Sequence, residues 1–275
     1  MASLELDARL DHLLSTAQAE TADIDLFAQI AEREECPICL LPLPFSDYEI
    51  NLTMCCGKVI CYGCTFKHML TFKNKKGASH SWEDFKEKYK CPFCQQKDGM
   101  MNAIKCLKKL MKKNNPNAFM QMAINYRDGA GVFQSDTRSL EMRICAAELG
   151  NAKAHALIGC HYDNGIAVEQ DKSKALQFYE IAAKKGSVQA HEFLALFHLM
   201  NTDTDSSIDH CRVAAGAGDQ ESMDNFMKAF RDELVSKEDL AKTLRAYQSS
   251  NDLVKSKDRE DVRDMIAQYN RDREV

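Results

Sequence analysis

A series of paired cysteines places the strongest constraint on how this 275-residue chain can fold. Eight of its twelve cysteines fall between residues 36 and 94, with gaps of 15, 4 and 26 residues between the pairs. The pairs are Cys36-x2-Cys39, Cys55-Cys56, Cys61-x2-Cys64 and Cys91-x2-Cys94. Eight thiolates suffice for two tetrahedral zinc ions, because both sulfurs of a CxxC turn can reach one ion. Residues 35–98 are therefore predicted to fold around two structural zinc ions.

A disulfide framework is the alternative explanation of these cysteines. The N-terminal segment MASLELDARLDHLL lacks the cationic region of a secretory signal. No apolar run approaches the eighteen residues that a transmembrane helix needs. These features favour the cytoplasm or the nucleus, where thiols stay reduced and clustered cysteines more often hold metal. The net charge of −5 does not favour nucleic acid as a partner.

Composition divides the rest of the chain. Residues 1–34 are acidic and lack glycine and proline, which predicts a loosely attached helix or a disordered segment. Residues 99–116 predict a connecting helix whose apolar stripe, including Leu107 and Leu110, is flanked by lysines. A basic face of this kind is more often solvated than bound to phosphate or an acidic partner. Residues 249–275 predict a charged helix or a frayed tail.

Residues 117–248 contain an internal repeat. Residues 118–150 align without a gap to residues 154–186, a shift of 36, and a third copy from Ala190 is four residues shorter. One more hairpin is predicted from a helix near Met223–Phe230 and a capping box at Ser236 that opens a second helix. Small residues and glycines recur at fixed positions, and a period in the mid-thirties indicates stacked helical hairpins. The predicted fold class is mainly α, with a small zinc-stabilised domain followed by an α-solenoid.

The repeated pattern A…Y-x2-G-x-G-V…A-A-x2-G resembles the Sel-one-like repeat, a relative of the tetratricopeptide repeat. The resemblance covers roughly residues 117–222 and is strongest in the second copy. In the first copy Ser139 replaces the alanine found at Ala175, and in the third Asn201–Ser207 replaces the glycine-containing loop. The resemblance implies a concave face that holds a protein substrate or complex.

The string ECPICLLPLPF…CCGKVICYGC…CPFC resembles a RING finger. In that family the first and third pairs hold one zinc ion, and the second and fourth pairs hold the other. The resemblance implies a first site of Cys36, Cys39, Cys61 and Cys64 and a second site of Cys55, Cys56, Cys91 and Cys94. Thiolate shells of this kind are closed, so both sites are predicted to be structural rather than catalytic.

The second site departs from the common RING pattern. Most members have a ligating histidine where this chain has Lys58, and an ammonium has no lone pair to offer. Cys55 is the nearest replacement, His68 and His80 compete with it, and a buried cysteine that binds nothing is a further alternative. Neighbouring cysteines can share an ion only where the backbone bends, which Gly57 would permit. Lys58 could then offset the charge of the thiolates.

The RING resemblance implies a ubiquitin-conjugating enzyme as partner and a ubiquitin ligase as function. The residues that match the family's docking surface are Ile38 and Pro92, completed by Trp82 or Phe85. Many active members have an arginine after the last cysteine, where this chain has Gln95. A non-enzymatic scaffold is therefore the alternative, and an RNA-binding zinc module is the weakest hypothesis. The combination of both parts resembles RING and Sel-one-like repeat proteins of diatoms and related algae.

Overall fold

The computed structural model of this chain describes residues 2–27, 33–44, 50–73, 90–95 and 103–271. It is mainly helical, which confirms the predicted fold class. The backbone divides into two compact units. The repeat unit comprises residues 1–32 and 114–250, and the cysteine unit comprises residues 33–113 and 251–275.

The helices and strands are numbered here in chain order. The N-terminal half begins with α1 (Ala2–Glu20), β1 (Ile50–Leu52), β2 (Val59–Cys61), α2 (Tyr62–Lys73) and α3 (Ala103–Met111). The repeats comprise α4 (Pro116–Asp128), α5 (Asp136–Glu148), α6 (Ala152–Asn164), α7 (Lys172–Lys184), α8 (Val188–Met200), α9 (Thr204–Gly216), α10 (Gln220–Arg231) and α11 (Lys237–Leu253). The last described helix is α12 (Lys257–Arg271).

The repeat unit is built from four helical hairpins, as the period predicts. The helices α4 to α9 each have 13 residues, so the three copies match in length. The loop inside the first two hairpins covers residues 129–135 and 165–171, whereas residues 201–203 suffice in the third. The four missing residues of the third copy are therefore lost from a loop. The helices keep their length and can still pack on their neighbours.

Each repeat helix from α4 to α10 begins at a side chain that accepts a hydrogen bond from the backbone. Asn115, Asn151 and Ser187 lie 36 residues apart and cap the first helix of the first three hairpins. The remaining caps are Ser135, Asp171, Asp203 and Asp219. Such a cap stabilises a helix by about 1 kcal/mol, because it satisfies a backbone N–H that has no partner within the helix. The caps thus repeat with the packing residues, although they were not part of the predicted pattern.

In the first and third copies, a serine on the second helix of the hairpin donates a hydrogen bond to the backbone of the first helix. The Ser139 hydroxyl donates to the Ala123 carbonyl at 2.9 Å, and the Ser207 hydroxyl donates to the Ala195 carbonyl at 2.8 Å. Both serines are buried, so each hydrogen bond forms away from solvent. The substitution of Ser139 for the alanine at position 175 therefore gives the first hairpin a hydrogen bond between its helices.

The second copy has an aromatic side chain in the corresponding space. A Cβ atom at Gly159 would lie 2.6 Å from Cε1 of Tyr179 and 3.1 Å from the carbonyl oxygen of Ala175. Tyr179 is almost fully buried and contacts the ring of Phe193, with the centroids 5.5 Å apart. Only glycine at residue 159 leaves room for this ring.

The N-terminal helix is part of the repeat core. Leu10, Leu13, Leu14 and Ala17 are buried in the same cluster as the apolar residues of α5 to α8. Arg9 forms an ion pair with Glu148 at 2.5 Å. The structure thus shows the helical alternative predicted for this segment. The helix is packed rather than loosely attached, because its leucines lie against the hairpins.

The C-terminal residues are also packed. Ser236 caps α11 as predicted, accepting from the Asp239 backbone at 3.0 Å. In α12, Val262 is 2% exposed, and Lys67 on α2 pairs with Asp258 at 2.8 Å. The alternative of a frayed tail is therefore wrong for residues 257–264, because α12 packs on α2 within the cysteine unit.

The connecting helix α3 is amphipathic, as predicted. Leu107 and Leu110 are buried, and the lysines at positions 105, 108, 109, 112 and 113 are exposed. Asn115 and Pro116 then begin the first repeat helix. The exposure of all five lysines agrees with the interpretation of this face as solvated.

Two buried histidines meet inside the third hairpin. The Nδ1 atoms of His191 and His210 lie 3.0 Å apart, so one ring donates and the other accepts. Phe27 stacks on His210 with the centroids 5.0 Å apart. Burial lowers the pKa of His191 to about 4, and burial together with the nearby imidazoles lowers the pKa of His210 to about 3. This pair is stable only while both rings are neutral.

The glycine at position 159 provides a first prediction. Replacing Gly159 with alanine should destabilise the protein by about 1–3 kcal/mol, because the new methyl group overlaps Tyr179. Gly216→Ala is the matched control, since its Cβ would meet only the Ala246 methyl group at 3.6 Å. Urea unfolding followed by circular dichroism measures both. Equal stability of the two variants would contradict the packing described.

The histidine pair provides a second prediction. At these two histidines the unfolded chain binds more protons than the folded one between about pH 4 and 6.5, so their protonation in acid should destabilise the protein. The free energy of unfolding should fall by up to about 1.4 kcal/mol per pH unit for each imidazole in that range. The double variant His191→Gln/His210→Gln should show a shallower dependence in urea titrations. Parallel curves would contradict it, because the two proteins share every other titrating group.

Candidate metal centres

Two of the cysteine pairs lie in turns of the same geometry. In the first, the Leu40 N–H donates to the Cys36 carbonyl at 2.8 Å and Leu40 has φ +59°. In the second, the Gln95 N–H donates to the Cys91 carbonyl at 3.1 Å and Gln95 has φ +57°. This tight turn directs both sulfurs of a CxxC pair to one side, as the spacing predicts.

The other two pairs are positioned by one hairpin. Strands β1 and β2 pair antiparallel, with Ile50 opposite Cys61 and Leu52 opposite Val59. Cys61 ends β2, and Cys64 lies in the first turn of α2. A single hairpin therefore contributes cysteines to both predicted sites, since Cys55 and Cys56 lie in its turn.

The turn of this hairpin bends the backbone at the adjacent cysteines. Thr53 accepts from the N–H groups of Cys56 and Gly57, and its hydroxyl donates to the Lys58 carbonyl at 2.8 Å. Gly57 has φ +75°, a conformation that favours glycine. The predicted bend is confirmed, and it lets neighbouring side chains approach the same point.

The structure brings the first predicted set of thiols together. The sulfurs of Cys36, Cys39, Cys61 and Cys64 all lie within 4.8 Å of one another. Cys39 and Cys61 are 3.8 Å apart, and a tetrahedral zinc ion with bonds of about 2.3 Å separates its sulfurs by about 3.8 Å. Cys36, Cys61 and Cys64 are buried. These four residues fit a tetrahedral ion.

The second set is also brought together. The sulfurs of Cys55, Cys56, Cys91 and Cys94 lie within 4.8 Å of one another, and Cys56 and Cys91 are 3.7 Å apart. Cys55 therefore lies where a fourth ligand belongs. Of the competing ligands, His68 places Nε2 2.7 Å from the Lys90 carbonyl, and His80 is outside the described residues.

Crowding opposes ionisation of the thiols. Burial, followed by the neighbouring Cys61 thiol, raises the pKa of Cys64, and burial with Cys91 raises the pKa of Cys55. Burial would also raise the pKa of Cys36, but backbone N–H groups of Cys39 and nearby residues lower it to about 7. Thiolates this close repel one another, so full ionisation of either set requires a cation.

The structure places a cation near each set. Lys58 lies over the ring of Phe93, with Nζ 5.2 Å from the ring centroid. Phe93 is located in sequence between Cys91 and Cys94 of the second set. The effect of Lys58 on the charge of that set stays a prediction. Arg259 on α12 donates to the Cys39 sulfur at 3.4 Å in the first set. Sequence reasoning missed Arg259, because no spacing rule connects residue 259 with residue 39.

The predicted docking residues are only partly described. Ile38 is 41% exposed between the first two cysteines, and the neighbouring Leu40 is also exposed. Pro92 is half-buried in the second turn. Trp82 and Phe85 lie outside the described residues. The surface formed by Ile38 and Pro92 stays a prediction.

Comparison with known families identifies the repeats. The model of the Sel1 repeat matches residues 117–151 and 152–187, which are the first two hairpins. These two hairpins are therefore similar to the Sel1 repeat, and this similarity supports protein binding as their function. No curated protein matches the chain. Among the described helices, none has the length and apolar composition that would cross a membrane.

Two solved structures resemble the chain over 55% of its length. One is a Sel1 repeat protein from Oxalobacter formigenes, with 27% sequence identity and a TM-score of 0.46. The other is a protective antigen present in uropathogenic Escherichia coli strains displaying an SLR fold, with 21% identity and a TM-score of 0.44. The matches span 62% and 33% of those two proteins.

The second set provides a third prediction. Replacing Cys55 with serine should remove one of two zinc ions, because three thiolates no longer close the shell. His68→Ala should retain both, and Cys145→Ser in the repeats tests for a general effect of losing a thiol. Elemental analysis of the purified variants measures the zinc content. Two ions in Cys55→Ser and one in His68→Ala would assign the ligand to the histidine instead.

Proposed function

We propose that this protein is a RING-type ubiquitin ligase whose zinc module docks a ubiquitin-conjugating enzyme and whose repeats hold the substrate. The observation that carries the proposal is the interleaving of the two thiol sets. The first and third pairs converge on one point, and the second and fourth converge on another. This is the arrangement of the family that the cysteine string resembles.

The donor sets argue for two zinc ions with a structural role. Thiolates select zinc over the hard cations, and four of them leave no open position for water or substrate. The ions would hold the two halves of the module together by closing long loops. The module itself would carry no covalent chemistry.

The chemical step would occur on the bound partner. A conjugating enzyme carries ubiquitin as a thioester, and the ligase brings that thioester and a substrate lysine into reacting geometry. Ile38 would contact the enzyme, since it is apolar, exposed and held in the first turn. The Sel1 repeats would supply the substrate, because stacked hairpins form an extended binding surface.

A non-enzymatic scaffold is the second candidate, and Gln95 favours it. Its side-chain amide donates to the Pro92 carbonyl at 3.4 Å, within the second turn. A glutamine lacks the charge and the forked donors of the arginine that many active RING ligases have at this point. In this alternative both units bind proteins and no ubiquitin is transferred.

A reconstituted reaction provides a fourth prediction. With activating enzyme, a panel of conjugating enzymes, ATP and ubiquitin, the protein should form ubiquitin chains. Ile38→Ala should reduce chain formation at least about tenfold, because it removes an apolar contact of the docking surface. Immunoblots of the reaction at fixed times measure this loss.

Two controls make the result specific. Phe133→Ala truncates an apolar side chain that is 96% exposed in the repeat unit, and it should leave chain formation unchanged. The zinc content of Ile38→Ala should equal that of the wild type. Inactivity of the wild-type protein with every conjugating enzyme would favour the scaffold, and full activity of Ile38→Ala would refute the docking assignment.

A further inference from the structure

The last described helix inserts a buried arginine beside the first thiol set. Arg259 is only 5% exposed. Its Nη1 donates to the carbonyls of Pro42 at 2.9 Å and Val254 at 2.8 Å, and its Nη2 donates to the Cys39 sulfur at 3.4 Å. A buried guanidinium is costly unless it is paired, so these three partners define a specific position for it.

Helix α2 leaves room for this arginine at Gly63. A Cβ atom at Gly63 would lie 3.0 Å from both Cγ and the backbone nitrogen of Arg259, and 3.1 Å from the carbonyl carbon of Asp258. Gly63 lies between Cys61 and Cys64, so the ligand-bearing turn of α2 lacks a side chain where α12 passes. A larger residue at this position would crowd the backbone and the Cγ atom of Arg259.

We propose that Arg259 is a positioning residue of the first zinc site, where it holds the Cys39 thiolate and offsets the charge of the tetrathiolate. Four thiolates around a dication carry a net charge of about −2, and a buried cation hydrogen-bonded to one of them reduces that excess. Its bond to Pro42 also fixes the chain that follows the first turn. The C-terminal segment is then a working part of the zinc module.

The two sites should therefore retain zinc unequally. Three of the four cysteines in the first set are buried, and Arg259 donates a hydrogen bond to the sulfur of Cys39. In the second set, Cys94 is exposed. The ion of the first site should leave slowly and that of the second site rapidly. This inference rests on the zinc-binding part of the proposed function.

The test is zinc release from the full-length protein to a chromogenic chelator. In the wild type we expect a fast and a slow phase of about one ion each. Arg259→Leu should accelerate the slow phase about 10–100-fold, the usual effect of losing a partner of a metal ligand, and leave the fast phase unchanged. The rate of the slow phase in Arg259→Lys should lie between those of the wild type and Arg259→Leu, because lysine keeps the positive charge but lacks the several fixed donors of a guanidinium. Arg263→Leu, an exposed arginine one turn later on α12, is the matched control and should behave as wild type.

A spectroscopic measurement separates positioning from folding. In the cobalt-substituted protein, Arg259→Leu should shift the thiolate-to-metal charge-transfer band to lower energy, while Arg263→Leu should not. An unchanged slow phase and band in folded Arg259→Leu would overturn the proposal, as would equal acceleration of both phases accompanied by loss of helical signal. A wild-type protein without zinc would instead refute the zinc sites themselves.

Discussion

Four thiols held within 4.8 Å of one another can all ionise only when a cation lies among them. This electrostatic constraint governs the cysteine unit. Its two described strands form one short hairpin, and the apolar cluster around the thiols contains only Leu43 and Ile60 as fully buried residues besides cysteines. A cluster this small contributes little apolar stabilisation, and metal ions bound by the thiol sets would add to it. Everything proposed for this unit, from the exposed position of Ile38 to the place of Arg259, requires that the thiol sets be formed.

The repeat unit is stabilised in a different way. Its larger core cluster extends from α1 to α8 and combines alanines with leucines, isoleucines and a few large rings. A second, smaller cluster joins α8, α9 and α10. Small residues let the helices approach closely, while caps such as Asn151 and Asp171 fix where each helix begins. The protein thus combines a unit whose two thiol sets could hold metal ions with one that depends on apolar packing. A chelator should act on the first and leave the second folded.

The local structure of both units could be predicted from the sequence. The CxxC spacing anticipated the two turns, the glycine after Cys56 anticipated the bend, and the period of 36 anticipated the hairpins. These features are visible because each depends on residues that are close in sequence or that recur. The repeats match a known family over residues 117–187, whereas the ligase function stays a proposal.

Long-range contacts could not be predicted in the same way. The leucines of α1 gave a weak helical pattern, but nothing in that pattern indicates that Leu10 and Leu14 pack on the hairpins. The contact between Arg259 and Cys39 joins residues that are 220 positions apart. A single charged residue in a charged helix has no distinguishing periodicity. Such contacts appear only once the whole chain is folded.

The recurring caps have a consequence for how a chain of this kind can change over time. Each 36-residue segment carries its own two helix starts, its own helix ends and the small residues that face its neighbours. Duplicating one segment in frame would add a hairpin whose caps and small residues match those of its neighbours. The third copy shows the complementary freedom, since its loop shortened while its helices kept their length. The binding surface of the repeats can therefore evolve in length and in loop shape while the cysteine unit stays the same.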